Sequence, residues 1–419
     1  MDKFIIKGGT PLHGEVQISG AKNAVLPIIA ATILTSDPVT IRNVPDLVDV
    51  HTMLHLLKAM GSKIKIEDNM DLHIDNSNLS KFEADYKLVQ TMRASILALG
   101  PLVSRFKQAK VSLPGGCAIG ARPVNFHIAG LKAMGAKIHI KDGYIYAQAE
   151  KLHGAPCFFF NTVSVTGTQN LIMAATLAQG KTVLENAACE PEVVDLVNLL
   201  KKMGAKISGA GTSTIIIEGV AKLNGAEHKV IPDRIETGTF LVAAAITKGK
   251  VKALQTDDRL LETLLVKLIN AGVKISVGDN WIEADATNAN LKAVSFSTEP
   301  HPAFPTDMQS QFMVLNCIAK GSAQITENIF ENRFMHVAEL QRMGAKLTIK
   351  GHTVTSEHVE NLKAAPVMAT DLRASAGLVL AALIAVGEST IRRIYHIDRG
   401  YQHFEQKLKS LGASIKRVS

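Results

Sequence analysis

One short loop concentrates residues that could do chemistry. In PGGCAIGARP, from Pro114 to Pro123, Cys117 has glycines on both sides and Arg122 follows five residues later. A nearby cation favours the reactive thiolate form of a cysteine. The loop alone is as compatible with a plain linker as with a catalytic loop. The related segments NVPDLVDV and NAACEPEVV are shorter, and this difference favours a closing lid.

A second group of chemical residues occupies one repeated position, the start of the first helix of a repeat. For Thr166, Asp307 and Arg373 this position lies 14 residues before a helix-ending glycine, and Lys22 and Arg93 follow from alignment of the repeats. The position holds Lys22, Arg93, Thr166, Asp307 and Arg373. Three of these are cations at the start of a helix, where the helix dipole disfavours positive charge by about 0.3–1 kcal/mol. A compensating anion is therefore required, and helix N-termini themselves bind anions. Three cations at equivalent helix starts predict a phosphate or carboxylate pocket rather than solvated surface charges.

Arginines also recur 13 residues before the second glycine of each repeat, at Arg122, Arg259 and Arg399. Arg122 and Arg399 could clamp one anion, because guanidinium groups suit carboxylate and phosphate geometry. For Arg259 in TDDRLLE we expect only a local ion pair with Asp257 or Asp258. Arg333, in ENRFMH, replaces an apolar residue of the other repeats and is a further anomaly.

These positions belong to a sixfold repeat. Phrases such as LKAMGSKIKI and LKAMGAKIHI recur, and their glycines are 68 to 74 residues apart, at Gly61, Gly135, Gly204, Gly272, Gly344 and Gly412. Apolar residues at helical spacing precede each glycine, and alternating residues follow it. The pattern predicts a helix ended by a left-handed glycine and then a strand. A second helix and strand precede this pair in each repeat.

Six repeats predict an α/β fold with two lobes of three repeats each, an inside-out α/β barrel with the active site in the cleft between the lobes. Residues 22–230 would form the first lobe with repeats one to three. Residues 1–21 resemble a segment that joins repeats, whereas the last repeat lacks such a segment. Residues 1–21 and 231–419 would therefore form a discontinuous second lobe.

Composition narrows the class of protein. Hydrophobic residues make up 47% of the 419 residues, and the longest apolar runs are too short to cross a membrane. The net charge of +8 fits an anionic metabolite better than nucleic acid, because aromatic residues are scarce and no basic run interleaves with them. No nucleotide-binding glycine motif and no metal motif occurs. We therefore expect a cytoplasmic enzyme without cofactor, metal or membrane partner, and a monomer or weak homo-oligomer.

The remaining cysteines and histidines carry weaker signals. Cys157, before FFF, and Cys317, in an apolar helix, are expected in the core. His127 and His396 lie near the chemical loops. The other histidines look like surface residues.

Longer strings resemble the UDP-N-acetylglucosamine enolpyruvyl transferases over essentially the whole chain. They are SGAKNA at Ser19, TMRAS at Thr91, LPGGCAIGARPV at Leu113, PDRIETGTF at Pro232, HPAFPTDMQ at His301, ENRFMH at Glu331, TDLRAS at Thr370 and YHIDRGY at Tyr395. The resemblance implies transfer of the enolpyruvyl group of phosphoenolpyruvate to the 3-hydroxyl of UDP-N-acetylglucosamine, with release of phosphate.

The resemblance also assigns roles. Cys117 would donate a proton and Asp307 would be the base, with Lys22 and Arg399 also catalytic. Phosphoenolpyruvate would be held by Lys22, Asn23, Cys117, Arg122 and Arg399. The sugar nucleotide would contact Arg93, Arg122, Pro123, Val124, Asn125, Phe126, His127, Thr162, Ser164, Val165, Asp307 and Ile329. Supporting positions would be Glu190, Asp233, Arg333, Asp371 and Arg373.

Two positions depart from the family pattern. The family usually has an aspartate at Asn125, where the amide keeps an acceptor, and KVSVG where this chain has TVSVT from Thr162. Two alternatives remain beside the enzyme: a non-catalytic sugar-nucleotide-binding protein of the same fold, and a nucleic-acid-binding repeat protein. Cys117, Asp307 and Arg399 argue against the first, and the scarce aromatics argue against the second.

Overall fold

The computed structural model describes residues 2–84, 92–113 and 124–419, and of Arg93 it describes the backbone only. The described chain divides into two compact units. The first unit lies within residues 20–231, and the second comprises residues 2–19 and 232–419. Each unit encloses its own hydrophobic core.

Six four-stranded sheets account for the described strands, three in each unit. In the first unit the strands are β3 (Val39–Arg42), β4 (Lys63–Ile66), β5 (Leu72–Asp75), β6 (Glu83–Ala84), β7 (Gln108–Ser112), β8 (Lys137–Lys141), β9 (Tyr144–Gln148), β10 (Phe158–Phe159), β11 (Lys181–Glu185), β12 (Lys206–Ser208), β13 (Thr214–Glu218) and β14 (Glu227–Lys229). Their orders are β14-β3-β5-β4, β6-β7-β9-β8 and β10-β11-β13-β12.

The second unit repeats the same sheet plan. Its strands are β1 (Lys3–Lys7), β2 (His13–Gln17), β15 (Lys250–Leu254), β16 (Lys274–Gly278), β17 (Trp281–Asp285), β18 (Phe296–Thr298), β19 (Ser322–Glu327), β20 (Lys346–Lys350), β21 (Thr353–Glu357), β22 (Pro366–Met368), β23 (Glu388–Arg392) and β24 (Ser414–Val418). Their orders are β16-β17-β15-β2, β18-β19-β21-β20 and β22-β23-β1-β24.

Every sheet is mixed, with one parallel pair and two antiparallel pairs. In the sheet of β3, for example, β14 pairs with β3 in parallel, and β5 pairs with β3 and β4 in antiparallel fashion. In the last sheet the central position is filled by β1, which pairs with β23 and β24. The first strand of the sequence is therefore part of the sheet formed by the last repeat.

The described helices follow the repeat. They are α1 (Lys22–Ala31), α2 (Val48–Met60), α3 (Leu99–Phe106), α4 (Asn125–Ala133), α5 (Val165–Ala175), α6 (Pro191–Lys202), α7 (Arg234–Ile246), α8 (Glu262–Asn270), α9 (Gln309–Ile318), α10 (His336–Arg342), α11 (Leu372–Ile384) and α12 (Phe404–Ser410).

Two kinds of helix alternate along the chain. The first helix of a repeat, such as α7 or α11, is buried along nearly its whole length, as expected for a helix that is apolar on all sides. The second helix, such as α2, buries one face with Val50, Leu54 and Leu57 and exposes the other. The sheets thus cover helices that form the centre of each unit.

The predicted glycine caps are confirmed. All six repeat glycines have φ between 89° and 112°, in the left-handed region that favours glycine. After Gly61, for example, the chain enters strand β4 directly. The glycines therefore end the amphipathic helix and turn the chain into the sheet.

Two expectations about single residues were wrong. Cys157 is exposed, because it precedes a two-residue strand whose Phe159 is itself 60% exposed. His228 and His336 are buried rather than on the surface. Cys317 is buried as predicted, and burial raises the pKa of its thiol to about 12.

No helix within the described ranges is long and apolar enough to cross a membrane.

Candidate active site

Several predicted site residues lie outside the described residues. These are Cys117, Arg122 and Pro123. Arg93 begins a 3-10 helix that runs to Ala98, immediately before α3.

In the first unit, Lys22 begins α1 and is buried. Its ammonium nitrogen lies 2.8 Å from Oδ2 of Asp49, a buried residue of α2. The carboxylate compensates a cation that the helix dipole disfavours. The anion required at this helix start is thus supplied by the protein, and Asn23 beside it is exposed.

In the second unit, two buried arginines hold Asp307. Arg333 donates from Nη2 to Oδ1 of Asp307 at 2.8 Å, and Arg373 donates from Nε to Oδ2 at 3.1 Å. Asp307 lies in the helical turn Thr306–Met308 before α9, whereas Arg373 lies in the first turn of α11. The sequence predicted Arg373 and Asp307 at equivalent helix starts, and the structure pairs them directly.

The charge balance of this cluster follows from burial. Burial lowers the pKa of the Arg373 guanidinium. Asp307, Tyr401 and Asp233 together raise this pKa by more, so the net pKa lies above its ordinary value. Arg373 therefore stays charged and the carboxylate of Asp307 is held between two fixed cations. A carboxylate so placed can accept a proton or a hydrogen bond through its remaining lone pairs.

Glu327 extends the cluster toward a turn that carries Ile329. Arg333 donates to Oγ1 of Thr306 at 3.1 Å, and Thr306 donates to Oε2 of Glu327 at 2.8 Å. Oε1 of Glu327 accepts from the backbone N–H groups of Ile329 and Phe330, at 2.9 and 3.1 Å. Glu327 is 2% exposed. One buried carboxylate thus connects the segment of Asp307 to the segment of Ile329.

Two further acidic residues cap helices. Oδ1 of Asp371 accepts from the backbone N–H groups of Arg373 and Ala374 at the start of α11. Oδ1 of Asp233 accepts from those of Ile235 and Glu236 at the start of α7. Their proposed supporting role therefore has a structural counterpart in helix capping.

His336 and His396 lie in the same unit. The pKa of His336 is lowered to about 4, because burial and, to a smaller extent, Arg333 lower it more than Asp371 raises it. Burial, Arg393 and Arg399 lower the pKa of His396. Both imidazoles are therefore neutral near pH 7. Arg399 itself ends a 3-10 helix, and its neighbour Asp398 is bound by Arg417 through two hydrogen bonds of 2.6 and 3.0 Å.

The predicted nucleotide segments of the first unit meet at the starts of α4 and α5. Asn125 begins α4, and Phe126 packs against Phe160 with ring centroids 5.7 Å apart. Ser164 caps α5 by accepting from Gly167 N–H at 3.2 Å. His127 is buried and lies 3.4 Å from Thr166 across the two helices. Thr162 is exposed, and Val124 and Val165 are partly buried.

Glu190 and Arg259 are the remaining residues for which the sequence predicts a role. Glu190 stands at the N-cap position of α6 and is buried. Arg259 forms the expected local pair with Asp257, donating from Nη2 to Oδ2 at 2.6 Å. That interpretation is confirmed.

Sequence reasoning missed Asp49, Glu327 and Asn170. Asp49 and Glu327 are buried acids, and a buried carboxylate opposite a predicted cation is recognisable only when the tertiary neighbours are known. Asn170 in α5 is a third such residue, because its partners Gly100 and His127 lie far from it in the sequence.

Comparisons with known proteins agree with this arrangement. The model of the EPSP synthase (3-phosphoshikimate 1-carboxyvinyltransferase) family matches residues 6–408. Two proteins of Coxiella burnetii, from strains Dugway 5J108-111 and RSA 331 / Henzerling II, are called UDP-N-acetylglucosamine 1-carboxyvinyltransferase. Each is 57% identical over 420 residues, covering 100% of this chain and 96% of the relative.

Solved structures show the same fold. The enolpyruvyl transferase NikO from Streptomyces tendae superposes with a TM-score of 0.90 at 26% identity, covering 100% of this chain and 99% of that one. EPSP synthase from Acinetobacter baumannii superposes with a TM-score of 0.78 at 17% identity over both full chains. The chain belongs to the EPSP synthase family of enolpyruvyl transferases.

Proposed function

We propose that this protein transfers the enolpyruvyl group of phosphoenolpyruvate to the 3-hydroxyl of UDP-N-acetylglucosamine and releases inorganic phosphate. The observation that carries the proposal is the 57% identity, over the whole chain, to proteins named for this reaction. Arg333 and Arg373 hold the carboxylate of Asp307 in a fixed position, and we propose this carboxylate as the base for the hydroxyl proton.

The proposed reaction is an addition followed by an elimination. The sugar hydroxyl attacks C2 of phosphoenolpyruvate and loses its proton to Asp307, while Cys117 delivers a proton to the methylene carbon. The thiolate left on Cys117 then takes a proton from the resulting methyl group, the double bond is restored, and the carbon–oxygen bond to phosphate breaks. Protonated Asp307 returns its proton to the departing phosphate, so both side chains end in their starting protonation states.

Cations have a clear task in this scheme. Phosphoenolpyruvate brings a phosphate and a carboxylate, and we propose Lys22, Arg122 and Arg399 as its ligands, with Asn23 assisting. Guanidinium and ammonium groups stabilise the negative charge on the departing phosphate. Lys22 is already held by Asp49 at 2.8 Å, so its position is fixed before substrate arrives.

We propose Asn125, Phe126, His127, Ser164 and Val165 as contacts of the sugar nucleotide, together with Arg93, Pro123, Val124, Thr162, Asp307 and Ile329. The starts of α4 and α5 support this assignment, because backbone N–H groups at helix starts suit a diphosphate. The product class places the enzyme in bacterial peptidoglycan synthesis, and we propose that it works in the cytoplasm as a monomer or weak homo-oligomer.

Phosphate release tests the proposal directly. The purified protein should release phosphate from phosphoenolpyruvate only when UDP-N-acetylglucosamine is present. Retained binding of the sugar nucleotide without phosphate release would instead favour the non-catalytic alternative. Stronger binding of DNA than of the sugar nucleotide in a low-salt competition would favour a nucleic-acid-binding protein.

The role of Cys117 has its own test. If the thiol acts as a proton donor, Cys117→Asp should keep measurable turnover, whereas Cys117→Ala should lose roughly 10²–10⁴-fold in kcat. The epoxide fosfomycin should inactivate the unsubstituted protein by alkylating the thiol, and it should not inactivate Cys117→Asp. Normal turnover by Cys117→Ala would refute the acid role.

A further inference from the structure

Asn170 lies in the middle of α5 and is completely buried, with 0% of its surface exposed. Three segments that the proposed function assigns to the sugar nucleotide converge near it. They are the Arg93 segment that leads into α3, the start of α4 and the start of α5. A buried amide needs hydrogen-bond partners, and these partners come from α3 and α4.

The first partner fixes the orientation of the amide. Oδ1 of Asn170 accepts from the backbone N–H of Gly100, in the first turn of α3, at 2.8 Å. Because a backbone N–H can only donate, the atom that faces it must be the amide oxygen. The NH₂ group of Asn170 must therefore point the other way.

The second partner then determines which ring nitrogen of His127 carries the proton. Nδ2 of Asn170 lies 2.8 Å from Nδ1 of His127. The NH₂ group can only donate, so Nδ1 must accept and carries no proton. A neutral His127 then has its proton on Nε2, and this N–H faces Oγ1 of Thr166 at 3.4 Å.

Packing leaves this arrangement little freedom. A side chain at Gly100 would place its Cβ 2.5 Å from the backbone oxygen of Asn170, so α3 and α5 touch without an intervening side chain. At Gly130, in α4, a Cβ would lie 2.2 Å from Leu171, the neighbour of Asn170. The glycines bring α3 and α4 directly against α5 at the level of the amide.

We propose that Asn170 is a positioning residue for the sugar nucleotide: it selects the Nε2–H form of His127 and thereby sets the starts of α4 and α5 relative to each other. It acts through His127 and touches neither substrate. This inference rests on the proposed function, because it assumes that these helix starts bind UDP-N-acetylglucosamine.

Asn170→Asp is the sharpest test, since the two side chains have the same shape. The carboxylate can still accept from Gly100 N–H, but it cannot donate to His127 and attracts a proton onto Nδ1 instead. We expect the KM for UDP-N-acetylglucosamine to rise about tenfold, while kcat and the KM for phosphoenolpyruvate stay within about twofold.

NMR spectroscopy shows directly which ring nitrogen of His127 carries the proton. In ¹⁵N-histidine-labelled protein, His127 should show the Nε2–H form before substitution and a protonated Nδ1 in Asn170→Asp. An Nδ1–H form in the unsubstituted protein would overturn the proposal, as would a change of form in the variant that leaves the KM for the sugar nucleotide unaltered.

Asn316→Asp is the matched control. Asn316 is also 0% exposed and exchanges two hydrogen bonds of 2.9 Å with the backbone of Val294, in the second unit. It should lose similar stability and leave the KM for the sugar nucleotide unchanged. A tenfold rise in that KM for Asn316→Asp as well would reduce the effect of Asn170 to general destabilisation and refute the proposal.

Thr166→Val covers the case in which Asn170→Asp does not fold. Thr166 is exposed, so its substitution spares the core, and it removes the acceptor of Nε2–H. We expect a rise of about threefold in the KM for the sugar nucleotide, and no rise would overturn the proposal. If the unsubstituted protein releases no phosphate, the proposed function fails, whereas the tautomer measurement still decides whether Asn170 selects the Nε2–H form of His127.

Discussion

Thr166 and Asp307 occupy the same position of the repeat, 14 residues before the glycine that leads into the next strand, yet their surroundings differ. Thr166 contacts His127, and His127 is hydrogen-bonded to Asn170. We call these three residues the uncharged relay. Asp307 faces Arg333 and Arg373, both nearly buried. The repeat therefore places a functional side chain at the same backbone position in both units. The neighbouring helices determine whether that side chain forms ion pairs or hydrogen bonds between neutral groups.

The difference has an energetic meaning. Hydrogen bonds between neutral groups contribute about 0.5–1.5 kcal/mol each, whereas a buried charge left without its partner costs several kcal/mol. Substitutions in the charged cluster should thus affect both rate and stability. Substitutions in the uncharged relay should mainly affect binding of one substrate, as proposed for Asn170.

The largest expected effect is that of Asp307→Asn. The amide keeps the shape of the carboxylate but cannot accept the hydroxyl proton, so kcat should fall roughly 10²–10⁴-fold. Steady-state phosphate release measures this fall. Asp257→Asn is the matched control, because Asp257 pairs only with the exposed Arg259 among its described partners. An equal fall in kcat in Asp307→Asn and Asp257→Asn would show that the buried and the exposed aspartate do not differ in function.

The next effect concerns a second charged cluster of the same unit. Lys407 donates to Glu236 and to Oγ of Ser19, each at 2.7 Å, and Glu236 is buried. Lys407→Met would leave the carboxylate buried without its cation and should lower the free energy of unfolding by about 3–5 kcal/mol. Urea denaturation measures the loss, with Lys250→Met, at a half-exposed pair with Glu283, as control. The control should lose at most about 1 kcal/mol.

The stability of Lys407→Met should also depend on pH. Burial raises the pKa of Glu236, although Lys407 opposes the rise. Without Lys407 the folded form therefore binds a proton more readily than the unfolded chain, whose glutamate has a pKa of about 4.3. The deficit should be complete above the folded pKa and shrink as pH falls toward about 4.3. A deficit that grows on acidification would contradict the assignment to Glu236.

The smallest effect is expected at Arg259. Its side chain is 79% exposed and pairs with Asp257 two residues away. Although Arg259 shares a repeat position with Arg122 and Arg399, Arg259→Ala should leave both the free energy of unfolding and kcat nearly unchanged, because exposed ion pairs contribute little. A clear loss of activity would show that the repeat position matters more than its surroundings.

The sequence predicts the scaffold well, because the signals are local. Gly61 and its five counterparts end helices in every repeat, and the helical spacing before them marks the buried face. The repeat also singles out Lys22, Asp307 and Arg373, since a charge at a helix start departs from the common pattern. Local pattern and chain geometry are sufficient for these conclusions.

The partners of those residues could not be read in the same way. Asn170 meets Gly100 across 70 positions, and Arg373 meets Asp307 across 66. Such pairs form only when helices from different repeats pack together. The burial of His228 and His336 was missed for the same reason: a lone histidine carries no sign of whether a sheet or a helix will cover it.

The placement of β1 has a consequence for synthesis on the ribosome. All strands of the three sheets in the first unit lie within residues 39–229, so that unit can fold as soon as its last strand emerges. Strand β1, made before any of them, must remain unpaired until β23 and β24 appear about 400 residues later. The nascent chain thus carries a β-forming segment ahead of an already finished unit until the last repeat has been made.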